Sequence, residues 1–135
     1  MTTRGINHVA VIVAALAYFG LGAIWYTFLF GRAWQANVGP TPAPMGATPF
    51  IIEIAMALVL AYVTAIALKD SSHPQPARHG VEFGIFMGLG IYASQLLVDY
   101  TFAGRGLTLW AIDAFYIVVG MALIGGIVGG WRSKT

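Results

Sequence analysis

Four long apolar runs, separated by short segments of proline, glycine and charge, decide what this chain can fold into. They cover His8 to Phe30, Phe50 to Leu68, Val81 to Ala103 and Leu107 to Trp131. A helix rises about 1.5 Å per residue, so roughly 20 apolar residues cross the ~30 Å hydrocarbon layer of a bilayer. Each run is close to that length. A soluble bundle can bury one such helix, but four in 135 residues leave too little polar chain to cover them. The hydrophobic fraction is 59% and the charged fraction 9%; a soluble domain has roughly 45–50% and about 25%. The expectation is an all-α polytopic membrane protein. It has a single transmembrane domain, residues 1–135, whose four transmembrane helices form two hairpins.

The connections suit that division. Gly39-Pro40-Thr41-Pro42-Ala43-Pro44 cannot continue a helix, because proline lacks the amide donor and clashes with the preceding turn. It reads as a stiff extended loop. Lys69 to Pro76 is a polar linker broken by prolines, and Gly104-Arg105-Gly106 is a tight turn. The first run follows Arg4 but is too long for a cleaved signal peptide, and no small-x-small site follows it before Trp34. Arg4, Lys69, Arg78, Arg132 and Lys134 fall at the two termini and the middle loop, Arg32 and Arg105 in the other loops. The positive-inside rule then places both termini in the cytoplasm. Trp25, Tyr26, Trp34 and Trp110 gather at the outer boundary, where amphipathic rings favour the headgroup level. The net charge of +2 is not gathered into a basic, aromatic surface, so no nucleic-acid partner is expected. The absence of cysteine excludes disulfides and thiolate chemistry.

Three carboxylates lie within the runs and are the most informative polar groups. Glu53 lies just inside the outer end of the second helix, Asp99 near the outer end of the third, and Asp113 nearly two turns into the fourth. A charge at the bilayer centre costs about 2.5–3.5 kcal/mol on insertion scales, so such residues turn inward and find partners. Arg32 and Arg105 stand in the outer loops and are the expected ion-pair partners. Three alternatives remain open at this point: an ion-pair cluster pinning helix ends, a substrate or cation site opening outward, or acids that merely reach the headgroups. Glu82, at the start of the third helix, reads as a favourable charge at a helix N-terminus. His8, His79 and Glu82 share the inner boundary but lack a metal-ligand spacing, so no metal is expected.

Gly84, Gly88, Tyr92, Gln95 and Asp99 recur at helical intervals and are expected to share one inward stripe. Gly84-x-x-x-Gly88, Gly125-x-x-x-Gly129 and Gly126-x-x-x-Gly130 are small-residue packing motifs, serving contacts within or between chains. The two halves also echo each other. Tyr26-Thr27-Phe28 before Gly31-Arg32 parallels Tyr100-Thr101-Phe102 before Gly104-Arg105, and Glu53 then parallels Asp113. The echo suggests a parallel internal repeat, with chance likeness between apolar helices as the alternative.

Trp25-Tyr26 followed by Leu29-Phe30-Gly31-Arg32-Ala33-Trp34 resembles the opening signature of the family called Domain of Unknown Function 1761. Ile112-Asp113-Ala114-x-Tyr116, on a glycine-rich helix ending in Trp131, is similar to that family's closing helix. The resemblance implies a small bacterial membrane protein with the same four-helix layout and brings no activity with it. Members often carry Ser-Pro after the Trp-Tyr pair; Thr27-Phe28 stands here instead, which removes the proline kink.

No phosphate loop follows a strand, and Ser94, the one serine within a helix, has no histidine at its level to activate it. The chain is therefore expected not to be an enzyme and to need no cofactor. One expectation is a small oligomeric carrier or channel with an outer-facing cation site. Glu53, Asp99, Asp113 and Gln95 supply its acceptors, and Trp25, Tyr26, Trp110 and Tyr116 its aromatic walls. The alternative is a non-catalytic scaffold or accessory subunit that packs through its glycine faces against a copy of itself or another membrane protein.

Overall fold

The computed structural model of the chain describes residues 4–40 and 46–133. No strand occurs among the described residues, and five helices do: α1 (His8–Leu29), α2 (Gly31–Asn37), α3 (Thr48–Leu68), α4 (Pro76–Phe102) and α5 (Leu107–Gly130). All but α2 are long and apolar enough to cross a membrane. Thr41, Pro42, Ala43 and Pro44 of the expected extended loop lie outside the described residues, as does Lys134.

Local chemistry sets the helix ends. Asn7 caps α1, its Oδ1 accepting from the amides of Val9 at 3.1 Å and Ala10 at 3.2 Å. The third span starts at Pro76, ahead of the expected Val81. Proline loses nothing in a first turn, where its missing amide would have no partner. Arg78 Nε donates to Glu82 Oε1 at 2.8 Å along this helix, so Glu82, expected at the helix N-terminus, lies in its second turn. The α4–α5 turn is a Schellman cap. Gly104 adopts φ +68°, Arg105 N donates to Tyr100 O at 2.8 Å, and Gly104 N donates to Thr101 O at 3.2 Å. The stretch carrying Arg32, expected in a loop, coils instead into α2, with Trp34 edge-on to Tyr26 at 5.8 Å.

Two of the spanning helices contain a π-turn. In α1 it covers Trp25–Leu29, and Phe30 N donates to Trp25 O five residues back. This is where the family resemblance raised, and Thr27-Phe28 removed, a proline kink. In α4 it covers Gly88–Ala93. One extra residue in a turn rotates everything after it by about 100°.

The last helix is the hub. α5 has 56% of its most apolar window buried, whereas α4 has 17%. α1 and α3 pack on each other and on α5, and α4 rests on a different side of α5. Lipid removes the hydrophobic drive for helices to associate, so close backbone approach has to supply it. The α4–α5 seam does this with glycine. A Cβ on Gly80 would land on the carbonyl of Gly125, one on Gly84 on the carbonyl of Met121, and one on Gly88 2.9 Å from Val118 Cα. Gly129 faces the carbonyl of Pro76, and Gly126 and Gly130 face side chains of Val81 and Ala77. The glycine motifs are thus occupied within the chain.

At the opposite end from α2, polar side chains tie the termini of the spans together. Asn7 Nδ2 donates to Trp131 O at 3.2 Å. Arg132 donates to the carbonyls of Gly129, Leu68 and Ser71, closing the C-terminal ends of α5 and α3. His8 and His79 have separate contacts. His8 Nδ1 is 2.9 Å from Tyr62 Oη, and His79 stacks on His73 at 4.8 Å. Among the described residues no three His, Cys, Asp or Glu side chains could share a metal ion.

Candidate functional site

Tyr18, Gly22 and Tyr26 follow one another at four-residue intervals on α1, so they face the same direction, toward α3 and α5. Tyr116 of α5 enters this face and donates to Glu53 Oε1 of α3 at 2.9 Å, its oxygen also lying 3.3 Å from the Tyr18 carbonyl. Gly22 makes the meeting possible. A Cβ there would stand 2.8 Å from Tyr116 Oη and 2.9 Å from Glu53 Oε1. Close by, Asp113 receives two donors, Tyr26 on Oδ1 at 2.6 Å and Tyr100 on Oδ2 at 2.5 Å. A phenol has one proton to give and a carboxylate oxygen accepts it, so the Asp113 oxygens take a hydroxyl each. Glu53 takes its hydroxyl on Oε1, and no donor among the described residues reaches Oε2.

These groups surround a cavity of about 350 Å³. Its polar wall is Tyr18, Tyr26, Glu53, Tyr100, Asp113 and Tyr116; its apolar wall includes Met56 and Leu60 from α3 and Leu96 from α4. Tyr26 and Asp113 also border a second space of about 330 Å³ toward α2, beside Trp34 and Gln35. Tyr26 and Tyr116 pack edge to face at 5.2 Å, and Tyr18 and Tyr116 are tilted at 5.0 Å. The site therefore presents two carboxylates among phenol rings and aliphatic side chains.

Among the described residues neither expected arginine forms an ion pair with Glu53 or Asp113. Among the described residues the ion pairs are Lys69–Asp70 at 3.8 Å and Arg78–Glu82 at 2.8 Å, both away from this cavity. Arg32 is exposed on α2, and the Schellman cap holds Arg105 over the Tyr100 ring at 5.3 Å. Tyrosine hydroxyls occupy the carboxylate oxygens in their place.

Glu53, Asp113, Tyr26 and Tyr116, expected in one site, do meet there. Asp99 and Gln95 do not. Both are exposed, and Gln95 Nε2 donates to Asp99 Oδ1 at 3.2 Å. The π-turn of α4 is the reason. The stripe that begins at Gly84 and Gly88 steps to buried Ala93 and on to Leu96 and Tyr100, turning Gln95 and Asp99 away. Trp25 and Trp110 are not lining residues. Trp25 Nε1 donates to Ile112 O at 3.0 Å, and Trp110 Nε1 to Ala93 O at 2.9 Å, each fastening a π-turned helix to its neighbour. Ser94 bonds back to the carbonyls of Gly90 and Ile91. Sequence reasoning missed Tyr18, Gly22 and Tyr100 as site residues. The four-residue spacing of Tyr18, Gly22 and Tyr26, and the echo between Tyr26 and Tyr100, were the signals that pointed to them.

Among the described residues the fold is all-helical, with four helices long and apolar enough to cross a bilayer and carboxylates held by tyrosines between them, which is the make-up of an α-helical membrane protein. No curated protein and no solved structure matches it. The chain belongs to the family described as protein of unknown function (DUF1761), whose model matches residues 9–129.

Proposed function

We propose that the chain is a small carrier or channel of the bacterial inner membrane whose site at Glu53 and Asp113 binds a cation. In this proposal both termini are cytoplasmic, the α2 end faces outward, and the chain works as a homo-oligomer without catalysing a reaction. The observation that carries it is the partner set. Two acids on helices long and apolar enough to cross a membrane have hydroxyl donors and no basic side chain among their described hydrogen-bond and ion-pair partners. A structural ion pair carries its own positive charge; this constellation leaves that charge to be supplied by a ligand. The tyrosine rings add cation–π attraction. The scaffold alternative finds less support, because the glycine faces it would use are taken up by α4 and α5 within the chain.

The test is thermal melting of the purified protein against monovalent, divalent and small organic cations over a range of pH, with Glu53→Gln and Asp113→Asn alongside. Saturable stabilisation by one class of cation, lost in Glu53→Gln, is the expected result. Equal response of wild type and Glu53→Gln to every cation would overturn the proposal.

A further inference from the structure

We propose that the Glu53 site takes a lipophilic, monovalent organic cation and is loaded sideways from the bilayer, through the gap between α3 and α4. This rests on the cation-site proposal above and adds the ligand class and the route. The gap follows from the packing: α3 sits on α1 and α5 while α4 sits on another side of α5, so α3 and α4 share no packed face. The cavity lies between them, with Met56 and Leu60 on one lip and Leu96 on the other. Met56 is 51% exposed, which places the lip at the lipid-facing surface.

The donor set argues against a metal ion. Glu53 and Asp113 already accept three hydroxyls, and among the described residues no third acid or histidine stands with them to share a metal ion. Hard cations need roughly six or more oxygens for Ca²⁺ and an octahedral set for Mg²⁺. A carboxylate set among phenol rings suits a diffuse positive charge carried on apolar substituents. The remaining wall is aliphatic, which matches those substituents and repels a hydrated ion. Asp113 and Tyr26 also border the space beside Trp34 and Gln35. A ligand entering from lipid therefore meets, at the same two residues, a second opening toward α2.

The experiment uses the full chain in nanodiscs of neutral lipid. Tetraphenylphosphonium is the lipophilic probe and tetramethylammonium the hydrophilic one. Binding is measured for wild type, Glu53→Gln and Met56→Cys. The chain has no cysteine of its own, so a bulky thiol reagent marks only Cys-substituted Met56 at the lip. Expected are saturable tetraphenylphosphonium binding weakened about tenfold or more by Glu53→Gln, the loss scale of a desolvated charge partner, and little binding of tetramethylammonium. Thiol labelling of Met56→Cys blocks the probe, and bound probe slows the labelling. Glu53-dependent binding of tetramethylammonium without tetraphenylphosphonium would overturn the ligand class and leave the cation site standing. Glu53-dependent probe binding indifferent to the label would overturn the lateral route. Binding of neither probe above the Glu53→Gln level would overturn this inference, and the melting series with inorganic cations then decides the cation site separately.

Discussion

Gly22 of α1 and Tyr116 of α5 are matched so that one must lack a side chain for the other to reach Glu53. A Cβ on Gly22 would come within 2.8 Å of Tyr116 Oη. Gly22→Ala is therefore expected to push the phenol off the carboxylate and to destabilise the protein by about 1–3 kcal/mol, the usual cost of overpacking. Gly20, two positions earlier, has nothing within 4 Å of its Cβ direction, and Gly20→Ala is expected to leave stability unchanged or slightly raised. Reversible denaturation of the two variants in the same detergent checks the contrast.

Asp113 joins three helices, because its donors come from α1 and α4 while it stands on α5. Removing either hydroxyl leaves one carboxylate oxygen without its donor. Tyr26→Phe and Tyr100→Phe are each expected to cost about 1–3 kcal/mol. A double-mutant cycle with Asp113→Ala, which removes both acceptor oxygens, should show coupling for both tyrosines. Strict additivity would mean that the two hydrogen bonds contribute nothing to stability.

The α4–α5 seam should be intolerant of any side chain. Gly80→Ala and Gly125→Ala each place a methyl group on a backbone carbonyl of the facing helix, and backbone cannot move aside as a flexible side chain can. Both should fall below wild type by more than Gly90→Ala, since Gly90 has open space around it. Melting temperature and yield of the folded protein compare the three.

Arg132 satisfies carbonyls at the C-terminal ends of two helices at once. Arg132→Ala is expected to loosen both, with faster amide hydrogen exchange in the last turns of α3 and α5 and unchanged exchange around Asp113. Arg105→Ala, which loses its contact with Tyr100 and leaves the helix-end carbonyls satisfied, should be mild by comparison.

The four spans and their hairpin pairing were legible because bilayer thickness converts directly into run length. The meeting of Glu53 with Asp113 was legible in outline, since both lie early in helices that start from the same end. The partners were not. Arg32 and Arg105 looked close in sequence, but loop geometry bends one onto α2 and folds the other back over Tyr100. Asp99 was misplaced for a different reason. A stripe read at 3.6 residues per turn stays true only while the helix remains α, and the π-turn at Gly88–Ala93 breaks that count. Its sequence, Gly-Leu-Gly-Ile-Tyr-Ala, carries no marker beyond two glycines. Trp110 explains its persistence only in three dimensions, by donating to Ala93 from the neighbouring helix.

The central position of α5 also bears on how the chain is made. The ribosome delivers this hub after every other span, so α3 and α4 enter the bilayer before the helix that fixes their relative places exists. Until α5 arrives, the carboxylate of α3 waits in the translocon or lipid without Tyr116. The contacts of Asp113 and Tyr116 and the glycine seam then form together in a late step, on an α1–α3 pair whose own contact does not involve α5. A nascent chain stalled before α5 should be a client for the membrane's quality-control proteases, whereas a complete one should escape them.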